Sequence, residues 1–320
     1  TRRVERARIR AHFEMQAQSV GHARLVRLRH SFPMSLPRAW VPTPGSDWQA
    51  TCDELVTRLR GRTLALLTGA GCSTESGIPD YRGEETARRA RNPIQFREFL
   101  ASEHGRRRYW ARATLGWPRF KSSEPNRAHR AATTLERRGI SVGVITQNVD
   151  RLHRRAGSEH VVELHGALED VVCLDCAHVE HRDALQERLL ARNPGWLEIG
   201  AEMAPDGDSE LDADRVEGFH VVACERCGGV LKPHVVFFGE GVPRPTVDAA
   251  FELQARADAL VVVGSSLTVF SGYRFVRRAL AAEQPVFVVN VGSTRADDVA
   301  ALRVAGTAGD VLERLAHELS

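Results

Sequence analysis

Four short apolar runs punctuate this chain, and each stops abruptly at small or polar residues. They are Leu64–Thr68 before Gly69, Val142–Thr146 before Gln147, Leu260–Val263 before Gly264, and Val286–Val289 before Asn290. Runs that are apolar at successive rather than alternate positions predict strands buried on both faces. Helical stretches separate them; from Asp47 to about Arg60, Cys52, Leu55, Val56 and Leu59 recur at i, i+3, i+4, i+7 spacing. Such an alternation predicts α/β architecture: a doubly wound, Rossmann-like parallel sheet covered by helices. Ligands of such sheets bind where the carboxyl ends of the strands open into a crevice, and all four runs deliver their unusual residues at that edge. Val161–Leu164 predicts a further short strand leading out of this domain.

Two stretches interrupt the pattern. From Arg88 to about Pro125 the chain is basic and helical, with Tyr109, Trp110 and Trp117. From Val172 to about Lys232 it carries Cys173-Leu-Asp-Cys176 and Cys224-Glu-Arg-Cys227, separated by 47 residues. Two Cys-x-x-Cys knuckles supply the four thiolates of a closed tetrahedral zinc site, which has no open position for water and is therefore structural. The alternative is four unligated thiols. Zinc ribbons also bind nucleic acids, but Glu202–Glu217 holds seven acids against the single Arg215, which argues against that and predicts a solvated loop. The expected organisation is a sheet domain over 46–168 and 235–320, with a helical insertion over about 88–125, and a smaller zinc-binding domain with four cysteine ligands over 169–234. Cys52 and Cys72 read as small buried hydrophobes.

Composition sharpens this little. The 320 residues are 42% hydrophobic and 27% charged, globular values, and the net charge of +3 gives no reason to invoke nucleic acid. No apolar run approaches the roughly 20 residues needed to span a bilayer, so no membrane partner is expected. Two lysines, Lys121 and Lys232, stand against 42 arginines, a coding bias rather than a binding device. The first 45 residues hold nine arginines and only Glu5 and Glu14 as acids. That leader reads either as a mitochondrial transit peptide or as extra sequence before a start at Met34. The arginine bias favours the second, which places the protein in a bacterial-like cytoplasm, with the mitochondrial matrix as the alternative. Either way 1–45 is expected to add little to the fold.

The chemistry concentrates at the strand ends. After Leu64–Thr68 come Gly69-Ala70-Gly71, which let backbone N–H groups approach a pyrophosphate. Polar Ser73-Thr74-Glu75-Ser76, stiff Gly77-Ile78-Pro79 and charged Asp80-Tyr81-Arg82 follow in place of a third glycine. Gln147-Asn148-Val149-Asp150 can donate to and accept from a carboxamide and ribose hydroxyls, or form an ordinary satisfied turn. His165, in Glu163-Leu164-His165-Gly166, is expected at the mouth between the two domains. Gly264-Ser265-Ser266 and Asn290-Val291-Gly292 suit ribose and phosphate hydrogen bonds. Lys232–Glu240 is a β-prone stretch that is either an ordinary strand or a free edge for an extended peptide.

These segments, in this order, resemble the sirtuin family of NAD-dependent protein lysine deacylases from about Asp47 to the C-terminus. The resemblance implies that Gly69, Ala70, Gly71, Ser73, Ile78, Asp80, Tyr81 and Arg82 form a loop and lid over NAD. It implies a nicotinamide-side pocket at Gln147, Asn148, Val149 and Asp150, with Asn148 and His165 as catalytic residues and His165 the general base. Gly264, Ser265, Ser266, Asn290, Val291 and Gly292 match adenosine-ribose contacts, and Ala308 stands where the family closes over adenine. Cofactors implied are NAD and one zinc ion on Cys173, Cys176, Cys224 and Cys227; the implied partners are acyl-lysine proteins or peptides, met by Val236, Phe237, Gly239 and Glu240. The spacer Ala204–Asp208 and the stretch from Tyr109 to Trp117 are similar to the class II, mitochondrial sirtuin-4-like branch. His234 and Arg151 depart from the family pattern near the peptide groove. Tyr109-x-x-Arg112 has the residue types to grip a carboxylate-tipped acyl chain, or is a packed Tyr beside a surface Arg.

The implied reaction releases nicotinamide and O-acyl-ADP-ribose. ADP-ribosyl transfer to protein, or lipoamidase-type activity, uses the same site. A hydride-transfer dehydrogenase expects Gly-x-Gly-x-x-Gly and an acid at a second strand's end; here the third glycine is missing and Glu84-Glu85 lie in a polar stretch. A non-catalytic NAD or ADP-ribose sensor is the remaining alternative, against which His165 and Asn148 argue.

Overall fold

The computed structural model describes residues 48–80, 93–198 and 216–319. The leader, Tyr81, Arg82 and nearly all of the acidic Glu202–Glu217 run lie outside the described residues. In chain order the helices are α1 (Trp48–Leu59), α2 (Phe96–Ala101), α3 (Glu103–Lys121), α4 (Arg127–Arg137), α5 (Leu152–Arg155), α6 (Arg182–Arg192), α7 (Arg244–Ala255), α8 (Phe270–Ala281) and α9 (Ala308–Glu318). The strands are β1 (Leu64–Thr68), β2 (Ser141–Thr146), β3 (Val161–Glu163), β4 (Gly166–Cys173), β5 (Val179–His181), β6 (Leu231–Val235), β7 (Ala259–Val263), β8 (Val286–Val289) and β9 (Leu302–Val304).

Six strands form a sheet in the order β3-β2-β1-β7-β8-β9, every pair parallel. Each of the four apolar runs is a strand of it. β1, β7 and β8 are buried at every position, as a sheet with helices on both faces requires. Successive side chains point to opposite faces. Leu64 and Leu66 pack with Leu55 and Leu59 of α1, Ala132 and Leu135 of α4, and Leu312 and Leu315 of α9. Ala65 and Leu67 pack on the other side with Leu253 of α7 and Phe275 and Val276 of α8. The chain leaves β1 for β2 on one side and returns to β7 on the other. The crevice between the carboxyl ends of β1 and β7 is thus the topological switch point, where a doubly wound sheet binds its ligand.

β4, β5 and β6 make a separate antiparallel sheet in the order β5-β4-β6. The helical insertion is expected from sequence to belong with the parallel sheet, but its apolar residues go elsewhere. Phe99, Trp110 and Trp117 share one core with Val171 of β4, Leu231 of β6 and Leu185 and Leu189 of α6. Three indole N–H groups lock this body: Trp110 donates to the Leu231 carbonyl, Trp196 to that of Ala111, and Trp117 to the Asp183 carboxylate. Large aromatic rings bury most where other apolar surface remains uncovered, and both faces of the parallel sheet are already filled.

Candidate active site

A cavity of about 1120 Å³ opens between the two bodies. It collects the described strand-end residues that the sequence singled out: Gly69–Gly71, Ser73, Ile78 and Asp80 after β1; Gln147–Asp150 after β2; His165 after β3; Gly264–Ser266 after β7; Asn290–Gly292 after β8; and Ala308 at the start of α9. Tyr109, Val236, Phe237, Gly239 and Glu240 line its other side.

The glycines have a packing reason that precedes any ligand. A Cβ on Gly69 would lie 2.7 Å from the Ser265 Cβ, and one on Gly71 would lie 2.9 Å from the Gly264 Cα. Gly264 itself has φ +62°, and a Cβ there would meet the Cys72 amide nitrogen at 2.5 Å. The turns after β1 and β7 therefore interlock backbone to backbone, with Gly71 N–H donating to the Gly264 carbonyl at 2.9 Å. A ligand's phosphates would meet main-chain groups here with no side chain in the way, which is the fit a dinucleotide needs.

A polar lattice sets this loop. The Asn148 Nδ2 donates to the Gly69 carbonyl at 3.1 Å and to Ser73 Oγ at 3.0 Å; the Ser73 hydroxyl donates to Asp150 Oδ2 at 2.7 Å. Gln147 Nε2 reaches Ser265 Oγ at 2.8 Å, joining the ends of β2 and β7. Burial raises the Asp150 carboxyl above its ordinary range, opposed by hydrogen bonds from Leu152 N–H and Ser73. Behind the loop, His129 and His153 meet edge to face with ring centroids 4.7 Å apart, close to Cys72. His153 Nε2 bonds Thr68 Oγ1 at 3.0 Å, and His129 caps α4 with Asn126, whose Nδ2 donates to the Cys72 carbonyl. Burial pushes His153 down to about 4 and His129 to about 2, so both imidazoles brace the loop as neutral groups. Cys72 is buried, and burial drives its thiol strongly up, so it is inert as the sequence predicts.

His165 stands at the junction of the two sheets. Its Nδ1 lies 2.8 Å from the Gln147 carbonyl and its Nε2 2.8 Å from Ser271 Oγ. Burial lowers its proton affinity; the Gln147 carbonyl opposes this and Arg274 adds to it. A neutral imidazole at working pH is the form a general base needs.

The four zinc-type cysteines converge. Cys173 and Cys227 sulfurs are 3.5 Å apart, Cys176 and Cys224 3.9 Å, and all four lie within 4.8 Å of one another. Thiolates at about 2.3 Å from one zinc stand about 3.8 Å apart, so the set fits a tetrahedral ion. Each knuckle turns through a left-handed residue, Ala177 or Gly228, whose N–H closes onto the Cys173 or Cys224 carbonyl. Burial raises Cys224, but the N–H groups of Cys227 and Arg226 outweigh it and bring the thiol down to about 7.

The substrate-side expectations divide. Tyr109 is 8% exposed and packs against Phe99, Trp110 and Phe237. Arg112, three residues on, is partly buried and lies outside the cavity wall that Tyr109 lines. Ile94, Phe120 and Leu168 complete an apolar wall there. Beyond Val235 the chain is not a free strand on both sides: Val236 N–H donates to the His165 carbonyl, and Phe238 pairs with Gln95 and Phe96. Arg151, with φ +59°, faces Glu163, Glu169 and Asp170, tying the end of β3 to β4 rather than meeting the groove. His234 is exposed.

Sequence reasoning missed Ser271 and Arg274, both in the cavity wall and on α8. Their only signal is position, seven and ten residues after Gly264, on a helix that begins where a buried strand's loop ends.

Comparison with known proteins agrees with this geometry. The Sir2 family profile matches residues 69–271. "NAD-dependent protein deacetylase 1" of Streptomyces coelicolor is 49% identical over 280 residues, covering 87% of this chain and 94% of that protein. "NAD-dependent protein lipoamidase sirtuin-4, mitochondrial" of Bos taurus is 48% identical over 254 residues, 78% of this chain and 81% of that one. Among solved structures, "Sir2-p53 peptide-NAD+" superposes with a TM-score of 0.65 at 30% identity, covering 83% of this chain and 97% of its own. This chain belongs to the Sir2 family.

Proposed function

We propose that the chain is an NAD-dependent protein lysine deacylase, with His165 as its general base. The observation that carries this is the position of His165. It is a half-buried, neutral imidazole on the wall of one cavity shared by the interlocked glycine turns on one side and the Val236–Glu240 stretch on the other. NAD supplies the electrophilic ribose carbon and the nicotinamide leaving group. Gly69–Gly71 and Gly264–Ser266 bind its phosphates and ribose through main chain and hydroxyls. Asn148 and Asp150 hold the Ser73 turn in register, His165 accepts the ribose hydroxyl proton, and zinc on the four cysteines fixes the β4–β6 wall that carries the peptide. Deacetylase names among relatives at 48–49% identity support the activity.

For the acyl group, the wall built from Ile94, Phe120, Leu168 and Phe237 favours apolar chains, as dispersion and desolvation require. Arg274, beside His165, is the only Arg or Lys among the described residues of the cavity wall. The test is a panel of acetyl-, longer alkanoyl- and carboxylate-tipped lysine peptides with NAD, read by mass spectrometry. Apolar acyl groups are expected to leave faster, with equal rates for Arg112→Met and the wild type throughout. A preference for carboxylate-tipped groups that Arg112→Met abolishes would overturn this acyl assignment. ADP-ribosylated protein in place of O-acyl-ADP-ribose would favour transfer to protein instead.

A further inference from the structure

We infer that Ser271 is the positioning residue of the catalytic histidine, holding the His165 Nε2 lone pair toward the cavity until a ribose hydroxyl takes its place. This rests on His165 being the base. The proton arrangement follows from elementary bonding. The Gln147 carbonyl can only accept, so His165 Nδ1 carries the hydrogen across their 2.8 Å contact. The neutral ring then has its lone pair on Nε2, and across 2.8 Å the Ser271 hydroxyl must be the donor. The two contacts together select one tautomer and one ring orientation.

The helix carrying Ser271 is fixed against the same loop. Ser271 is in the first turn of α8, with 8% of its surface exposed. At the next residue, a Cβ on Gly272 would fall 2.5 Å from Gln147 Oε1, so the helix start sits directly on the segment whose carbonyl holds Nδ1. One rigid contact thus places both partners of the imidazole.

A hydroxyl suits both halves of a proton-transfer cycle. Before transfer it donates to Nε2 and keeps the ring aimed. Once a ribose hydroxyl has given its proton to Nε2 and its oxygen has moved off to attack, that nitrogen is a donor, and the returning Ser271 oxygen, turning its own hydrogen away, accepts from it. No bond to Ser271 is made or broken, and its proton count is unchanged. Alanine can do neither; threonine keeps the hydroxyl.

The experiment compares Ser271→Ala, Ser271→Thr and His165→Ala with the wild type. It measures kcat on an acetyl-lysine peptide, NAD Kd by calorimetry, and the melting temperature. Loss of one hydrogen bond to a group that becomes charged predicts a fall in kcat of about tenfold or more for Ser271→Ala. NAD Kd should hold within about twofold, because the ribose hydroxyl replaces rather than needs Ser271, and Ser271→Thr should recover most of kcat. Wild-type kcat in Ser271→Ala, alongside an inactive His165→Ala, overturns this inference alone. So does a loss in Ser271→Ala matched by equally weakened NAD binding, or a Ser271→Thr no better than alanine at an unchanged melting temperature. Wild-type turnover by His165→Ala overturns the base assignment and this inference together.

Discussion

The two walls of the cavity are built by opposite strategies. The parallel sheet holds itself: β1, β7 and β8 are buried throughout, and the turns they deliver interlock through Gly69, Gly71 and Gly264 at distances only glycine allows. The β4–β6 body is a three-stranded sheet with a short, exposed third strand, closed by two knuckles and leaning on helices inserted from elsewhere in the chain. A small sheet of that kind buries too little to stand alone and needs a metal staple. On the proposed reading the difference assigns labour: the sheet edge would fix the cofactor side by packing, and a metal on the four cysteines would fix the peptide side by ligation.

Removing the metal should separate the walls most sharply. Structural zinc contributes about 10–16 kcal/mol in small zinc modules, so chelation or Cys173→Ser is expected to collapse the β4–β6 body and abolish turnover. Calorimetry should still show NAD binding, weakened far less than turnover. Loss of both together, with unfolding of the whole chain in one transition, would show that the walls are not independent.

Gly264→Ala strikes the other wall. With φ +62° and a Cβ at 2.5 Å from the Cys72 nitrogen, the change strains backbone against backbone, at about 1–3 kcal/mol. NAD Kd should rise by about tenfold or more, while zinc content stays at one per chain. Unchanged Kd would remove the interlock from the account.

A smaller effect is expected from pH. His129, His153 and His165 all bind protons more weakly than an unfolded histidine near 6.5, burial being the largest cause for each. Below about pH 6.5 the unfolded chain takes up protons that the folded one refuses, so stability is fully present above that value and declines as pH falls toward 4. The raised Asp150 and Glu163 carboxyls oppose this, in the carboxylate range. Melting temperature should therefore fall between pH 7.5 and 5.5, and His153→Asn should flatten the slope. A flat or rising wild-type profile contradicts it.

What the sequence disclosed follows the same division. Strands buried on both faces announce themselves, so four of six were legible, along with the shorter β3. β9 (Leu302–Val304) was not: both are three-residue edge strands, but β3 opens on two adjacent valines whereas β9 sets Arg303 between its two apolar residues. Cys-x-x-Cys spacing specifies its own geometry, and the sulfurs meet as expected. The glycines were found for an incomplete reason: they read as a phosphate cradle, yet their nearest neighbours are each other's turns. Tyr109-x-x-Arg112 had the right residue types, but a helix sends positions three apart along a face whose bearing only tertiary packing decides. Ser271 carried no motif at all; its meaning exists only because α8 starts against Gln147.

The most direct test of the central claim is the stoichiometry of products from NAD and an acetyl-lysine peptide with the purified protein. The account predicts that nicotinamide release depends on the acylated peptide, and that each nicotinamide is matched by one deacylated lysine and one O-acetyl-ADP-ribose, all lost in His165→Ala. Nicotinamide release that ignores the peptide's acyl group, or formation of reduced nicotinamide cofactor instead, would contradict it.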